Sequence, residues 1–259
     1  MAVLTAASPS EKVRLTRQAA AARREGRLAA LGRSIPPDRP ARPQRPVLLS
    51  PREMAKRSRA TSVKGRIALL HALAHIELNA IDLAWDLLSR FPDEAMPVAF
   101  FDDWVTVADD EARHFELLAA RLVGFGAGYG DLPAHDGLWR AAGDTAHDLA
   151  ARLAVVPMVL EARGLDVTPR TVAELARHGD GASAAVLQTI FDDEITHVAA
   201  GCRWFEVLCR RRGVEPVATW RTLIGRHFGG IPKPPFNHEA RARAGMAPAY
   251  YQGFEPEPG

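Results

Sequence analysis

Two stretches of the chain repeat one set of metal-ligating residue types. Asp109-Asp110-Glu111-Ala112-Arg113-His114 returns as Asp192-Asp193-Glu194-Ile195-Thr196-His197, so the frame Asp-Asp-Glu-x-x-His occurs twice, with its glutamates 83 residues apart. A Glu and a His at i and i+3 share one side of an α-helix, which brings a carboxylate oxygen and an imidazole nitrogen within reach of one cation. One Glu-x-x-His arises easily by chance. A repeated six-residue frame is far more specific.

The neighbours of each frame say which way it faces. Trp104, Val107, Glu111, His114, Leu118 and Leu122 follow 3-4 spacing, as do Leu187, Ile190, Glu194, His197, Gly201, Phe205 and Leu208. Both Glu-His pairs therefore sit on apolar stripes and are expected in helix-packing seams. A carboxylate buried there without a partner costs several kcal/mol, on the order of 3 to 5, so it must be protonated, paired or bound to a metal. One helix earlier in each case a single Glu lies on another stripe. Ile67, Leu70, Ala74, Glu77, Ile81, Ala84 and Leu88 make the first, and Ala154, Met158, Glu161 and Leu165 the second. Glu77 precedes Glu111 by 34 residues and Glu161 precedes Glu194 by 33, the pattern of a duplicated helix pair.

Stepping outward, the elements that must position these residues are helices joined by breakers. The first bundle helix is predicted from about Ser62 to Arg90, before Phe91-Pro92-Asp93, and the second from about Val98 to Val123. The glycine-rich run Gly124 to Gly130 follows a helix and lacks a Gly-Lys-Ser/Thr ending, so it reads as a crossover and not as a phosphate loop. A third helix is predicted from Asp144 or Thr145, with Pro157 kinking it one turn before Glu161. Residues 164 to 182 read as an insertion, a polar flap with its own short helix opened by Thr168-Pro169 and closed by His178-Gly179. The fourth helix is predicted from about Ser183 to Arg212 and a last short one from Val217 to His227. An irregular but aromatic tail follows, with Phe236, Tyr250 and Tyr251.

The N-terminal part has a different character. Residues 11 to 32 predict a basic helix packing on the bundle, and Ser34 to Arg52, with Pro36, Pro37, Pro40, Pro43, Pro46 and Pro51, an extended strap pinned at Val47-Leu48-Leu49. His71 and His75 lie roughly 200° to 240° around their helix from Glu77, at about 100° per residue, which predicts a structural role beneath the strap and not ligation. Cys202 and Cys209 are separated by about 10 Å of helical rise, too far for a disulfide. A net charge of +2 on 259 residues gives no ground for nucleic-acid binding, and no run of apolar residues predicts a membrane span or a leader. A cytoplasmic location is the expectation.

The two lone glutamates and two Glu-x-x-His motifs resemble the ferritin-like di-iron or di-manganese carboxylate bundles, over roughly residues 63 to 212. The runs His71 to Asp82, Glu161 to Pro169 and Lys233 to Arg241 further resemble an uncharacterised bacterial ferritin-like family, related in pattern to rubrerythrin-like proteins and the tRNA hydroxylase. The resemblance implies an all-α fold, a ferritin-like four-helix bundle over 62 to 213 with a long crossover, wrapped by residues 1 to 61 and 214 to 259. It implies two Fe ions, or Mn/Fe or Mn/Mn, held by Glu77, Glu111, His114, Glu161, Glu194 and His197. In that arrangement Glu111 and Glu194 bridge the ions, and Asp110 and Asp193 hydrogen-bond the far nitrogen of the opposite His. The expected activity is that of an oxidoreductase acting with O2 or peroxide on a small-molecule substrate, with Trp104, Val107, Met158, Ile190 and Phe205 lining the cavity. An electron-donor protein would supply the electrons, and a homodimer is compatible with the pattern. A non-catalytic iron-binding, storage-type or interaction bundle and an RNA-modifying hydroxylase, using arginines between 14 and 46, remain as alternatives.

Overall fold

The computed structural model describes residues 1–28, 35–50, 52–54 and 61–253. Residues 29–32 of the predicted basic helix, and Ser34 and Pro51 of the predicted strap, lie outside the described residues. The chain is mostly helical and divides into two compact units, Met1–Arg140 with Glu174–Val186, and Ala141–Ala173 with Leu187–Gly259.

In the first unit a short helix α1 (Ala2–Thr5) leads into α2 (Pro9–Arg24), the long α3 (Val63–Arg90) and α4 (Val98–Gly124). The α3 helix starts where Ser62 accepts a hydrogen bond from the Gly65 amide at 3.1 Å, a cap worth about 1 kcal/mol. It ends before Pro92, which opens a single 3-10 turn, Pro92–Glu94, leading back into α4. The α3 and α4 helices pack on each other and α2 lies against α4. By length and composition α3 could cross a membrane, but its apolar window is mostly buried inside the protein and carries Glu77 and Asp82, the signature of a core helix.

Sequence periodicity shows only one face of α3, and the structure shows a second. His71, His75, Asn79, Asp82 and Asp86 recur at spacings of 4, 4, 3 and 4 along it, and all are buried. The strap and the crossover cover this polar stripe. Lys12 of α2, itself fully buried, donates to Asp82 at 2.6 Å and to the Val3 carbonyl at 3.0 Å. Arg42 of the strap reaches Asn79 at 2.5 Å and Asp82 at 3.2 Å. His71 and His75 have structural partners, and among the described residues those come from the crossover, not from beneath the strap. Gly130, in the left-handed region at φ +105°, donates its amide to His71 Nε2 at 2.9 Å. His75 Nε2 lies 3.2 Å from the His135 carbonyl, which can only accept, so Nδ1 is left to accept from the Tyr129 hydroxyl at 2.8 Å. The strap is pinned where predicted: β1 (Leu48–Leu49) pairs in parallel with β2 (Ala134–His135).

The second unit begins within α5 (Gly137–Asp144) and continues through α6 (Leu149–Val155), a π-helical segment (Val156–Glu161) and α7 (Ala162–Arg177). The start signal belongs to Asp148, which accepts from the Ala150 amide at 3.1 Å, a turn later than predicted. Thr145 instead accepts from the buried Arg152 Nε at 2.9 Å. The expected flap over 164 to 182 is corrected, because α7 runs straight through Pro169. A proline there leaves the carbonyl four residues earlier without its amide partner, and the Asn237 side chain donates to that carbonyl, Leu165 O, at 3.1 Å. The long α8 (Gly181–Arg212) and α9 (Pro216–His227) follow as expected. The tail is not irregular throughout, since α10 (His238–Arg243) and α11 (Pro248–Tyr251) form within it. Cys202 and Cys209 are free buried thiols, burial pushing them up to about 12 and about 11.

Candidate metal centre

In the first unit three of the predicted ligands come together. Glu77 of α3 and Glu111 and His114 of α4 are 4%, 0% and 0% exposed. His114 Nδ1 lies 3.5 Å from a carboxylate oxygen of Glu77 and 3.5 Å from one of Glu111. Ligand atoms of the three all lie within 4.8 Å of one another, close enough for one cation to touch each of them. Burial, and then the neighbouring Glu111 carboxylate, holds the Glu77 carboxyl well above the usual carboxylate range. Two enclosed carboxyls repel when both are ionised, and a cation between them removes that repulsion.

The helix faces explain the convergence. Glu77 lies on the α3 face opposite the polar stripe, while Glu111 and His114 occupy the buried face of α4 together with Trp104, Val107, Leu118 and Leu122. Trp104 is 2% exposed, and its indole N–H has no acceptor among the described residues. Among the described residues this is a buried donor left unpaired on the ligand stripe, where an oxygen-bearing group could accept from it.

Outside this seam the first residue of the frame is clamped. Arg17 and Arg24 of α2 reach the two Asp109 carboxylate oxygens at 3.0 and 2.9 Å, and Arg17 also meets Glu116 at 3.0 Å. These arginines are committed to the protein's own α4, which favours the packed-helix expectation for residues 11 to 28. Asp110 meets Arg113 at 3.0 Å.

In the second unit Glu194 and His197 of α8 form the matching pair, with His197 Nδ1 3.7 Å from a Glu194 oxygen and side chains 12% and 1% exposed. Asp193 contributes its carbonyl to the Thr196 hydroxyl at 2.8 Å. Glu161 closes the π-helical segment and is half-buried. Pro157 does more than kink its helix, because π-helical segments insert one residue's worth of extra turn and reset the face on which the next side chain falls. The segment packs tightly on α8: a Cβ at Gly201 would lie 2.5 and 2.6 Å from two Pro157 ring carbons. Met158, Ile190 and Phe205, predicted to line a cavity, are buried here, as are Trp104 and Val107 in the first unit.

The donor set is uniformly carboxylate and imidazole. Such groups suit Fe or Mn, whereas thiolate sites favour Zn or Cu(I), and the two cysteines are absent from both clusters. The residues present therefore fit hard-to-borderline divalent ions.

Two further groups escaped the stripe analysis. The Lys12-Asp82-Arg42 network was legible only as polar residues at helical spacing on α3. The Asp166-Arg241 pair, 2.7 and 2.9 Å across two contacts with both side chains at least 98% buried, joins two of the runs that carry the family resemblance. Charge alone does not reveal it, because the partners lie 75 residues apart.

Comparison with known proteins places the chain in a family of unknown function. A protein of Haemophilus influenzae, described as an uncharacterized protein, is 42% identical over 209 residues, covering 79% of this chain and 72% of its own length. No solved structure matches the chain. Residues 5–252 match the family model described as protein of unknown function DUF455, and with nearly the whole chain spanned, this protein belongs to that family.

Proposed function

We propose that the protein is a dinuclear metal carboxylate oxidoreductase built on a ferritin-like four-helix bundle. The observation that carries this reading is the enclosed Glu77-Glu111-His114 cluster, whose frame the sequence repeats as Glu161, Glu194 and His197. The repeat implies two clusters of one kind, and in ferritin-like bundles two such clusters share a pair of ions.

In this reading Glu77 with His114 would hold one ion and Glu161 with His197 the other, with Glu111 and Glu194 serving both. Asp110 and Asp193 orient the imidazoles, fixing which ring nitrogen is free to bind. Bound Fe or Mn would supply the redox chemistry with O2 or peroxide. The chain's part is to hold four carboxylates at low proton occupancy once the cations enter, and to keep water out with Trp104, Val107, Met158, Ile190 and Phe205. The buried Trp104 N–H would be available to donate to an oxygen of a substrate. Where turnover requires electrons, a separate donor protein would supply them, because the sequence shows no nucleotide-binding or iron-sulfur motif.

Anaerobic loading with Fe(II), desalting and exposure to air in an oxygen electrode tests this function. Oxygen uptake that saturates at about two Fe(II) per chain and disappears in Glu111→Ala and Glu194→Ala is the expected result. Iron that is retained without any oxygen uptake, with or without added reductant, would instead identify a non-catalytic iron-binding bundle.

A further inference from the structure

Two prolines bracket Glu161. Pro157 lies in the π-helical segment that Glu161 closes, and Pro169 lies two turns beyond it in α7. Each removes a backbone hydrogen bond from the helix that carries the carboxylate. Neighbouring groups must supply the rigidity this stretch lacks. On one side Gly201 admits the Pro157 ring. On the other the C-terminal tail clasps the helix.

The clasp is dense. Arg241 grips Asp166 through two contacts at 2.9 and 2.7 Å, and the same Asp166 oxygen accepts the Asn237 amide at 2.9 Å. The Asn237 side chain works twice: its oxygen caps α10 by accepting from Ala240 N at 3.1 Å, and its amide donates to the Leu165 carbonyl that Pro169 leaves open. Arg163 reaches back to the carbonyls of Lys233 and Pro235 at 2.8 and 3.2 Å. The Arg241 guanidinium is sandwiched, 5.0 Å from the Phe236 ring centre and 4.6 Å from that of Tyr251. A buried bidentate pair with stacked aromatic faces is a committed structure, far stronger than a surface tether.

We propose that Asp166, Asn237 and Arg241 are positioning residues for Glu161, and that seating of the tail on α7 sets the affinity of the second metal position. The inference rests on the dinuclear reading. Leu165 stands one turn after Glu161, so the carbonyl that Asn237 satisfies belongs to the turn that directly follows the ligand, and Asp166 anchors that following turn from the next residue. Loss of the clasp leaves a helix interrupted by two prolines with one side unsupported. Glu161 then samples several orientations, and its ion is held less tightly while the ion on Glu77 and His114 is not affected.

Co(II), whose absorption reports coordination, is the probe. It is titrated into the full chain, into the near-isosteric Asp166→Asn, and into Arg241→Lys, which keeps the charge but loses the planar two-pronged contact, with circular dichroism confirming the helical content and limited proteolysis reporting tail release. Wild type should take up about two equivalents. In each variant one equivalent should weaken by about tenfold or more and change its spectrum, while the other keeps wild-type affinity, as for loss of a residue that orients a metal ligand. A general loss of packing would weaken both equivalents together or neither, and either result overturns the proposal. Variants whose tail is released but whose two Co(II) affinities are unchanged overturn it as well. A wild-type chain that binds no Co(II) overturns the dinuclear reading itself, a result distinct from all of these.

Discussion

The two halves of the ligand pattern share a sequence frame but are supported in different ways. In the first, regular helices α3 and α4 enclose Glu77, Glu111 and His114 almost completely, and four residues past the histidine stands Leu118, itself fully buried. In the second, Glu161 ends a π-helical segment, Glu194 keeps 12% of its side chain exposed, and the residue four past the histidine is Gly201, whose missing side chain makes room for Pro157. The first half is braced from the N-terminus by Lys12, Arg17 and Arg24, the second from the C-terminus by Asn237 and Arg241. The two halves share ligand types and differ in their supports.

The largest effect expected on the first half comes from Lys12. Its ammonium is fully buried against Asp82, so Lys12→Ala leaves a buried carboxylate without its closest cation and should cost about 3 to 5 kcal/mol in urea unfolding. Second comes a pH signature of the same pair. Burial outweighs the attraction of Lys12 and Arg42 and raises Asp82 to about 6 from an ordinary 3.8. The folded state therefore keeps the Asp82 proton across a range where the unfolded state has lost it. This contribution to stability is fully present below pH 3.8 and is lost as pH rises through about 6, amounting to about 3 kcal/mol. Unfolding curves of wild type and Asp82→Asn compared from pH 4 to 7 should show that difference, and a difference constant with pH would refute it.

Gly201→Ala sharpens the contrast from the other side. The Pro157 ring is fixed by its own backbone and cannot swing aside, so the added methyl should cost about 1 to 3 kcal/mol and loosen the second half first. A thermal midpoint equal to wild type would mean that the packing of Pro157 on α8 is not a constraint. Arg17→Ala and Arg24→Ala, which break partly exposed ion pairs with Asp109, should each cost less than about 1 kcal/mol, and metal content should not change.

These outcomes also mark what the sequence could show. Apolar spacing located α3, α4, α8 and α9 within a few residues, because breakers such as Pro92 and Gly213 punctuate strong stripes. It placed Glu77, Glu111 and His114 on facing stripes, and the structure brings them together. Where it failed, a distant group had compensated a local fault. Pro169 reads as a helix start, yet α7 passes through it because Asn237 satisfies the carbonyl it abandons. The N-terminal polar network was missed because α3 is buried on two faces, and a search for one apolar stripe finds only one of them. The tail reads as irregular in sequence because its short helices lean on Asp166 and on aromatic stacking more than on their own propensity.

The dinuclear reading meets its most direct test in the metal content of the full chain, by elemental analysis after anaerobic supply of Fe(II) or Mn(II) and desalting. About two ions per chain, falling in both Glu111→Ala and Glu194→Ala, is the predicted result. A folded chain that retains none would contradict the account.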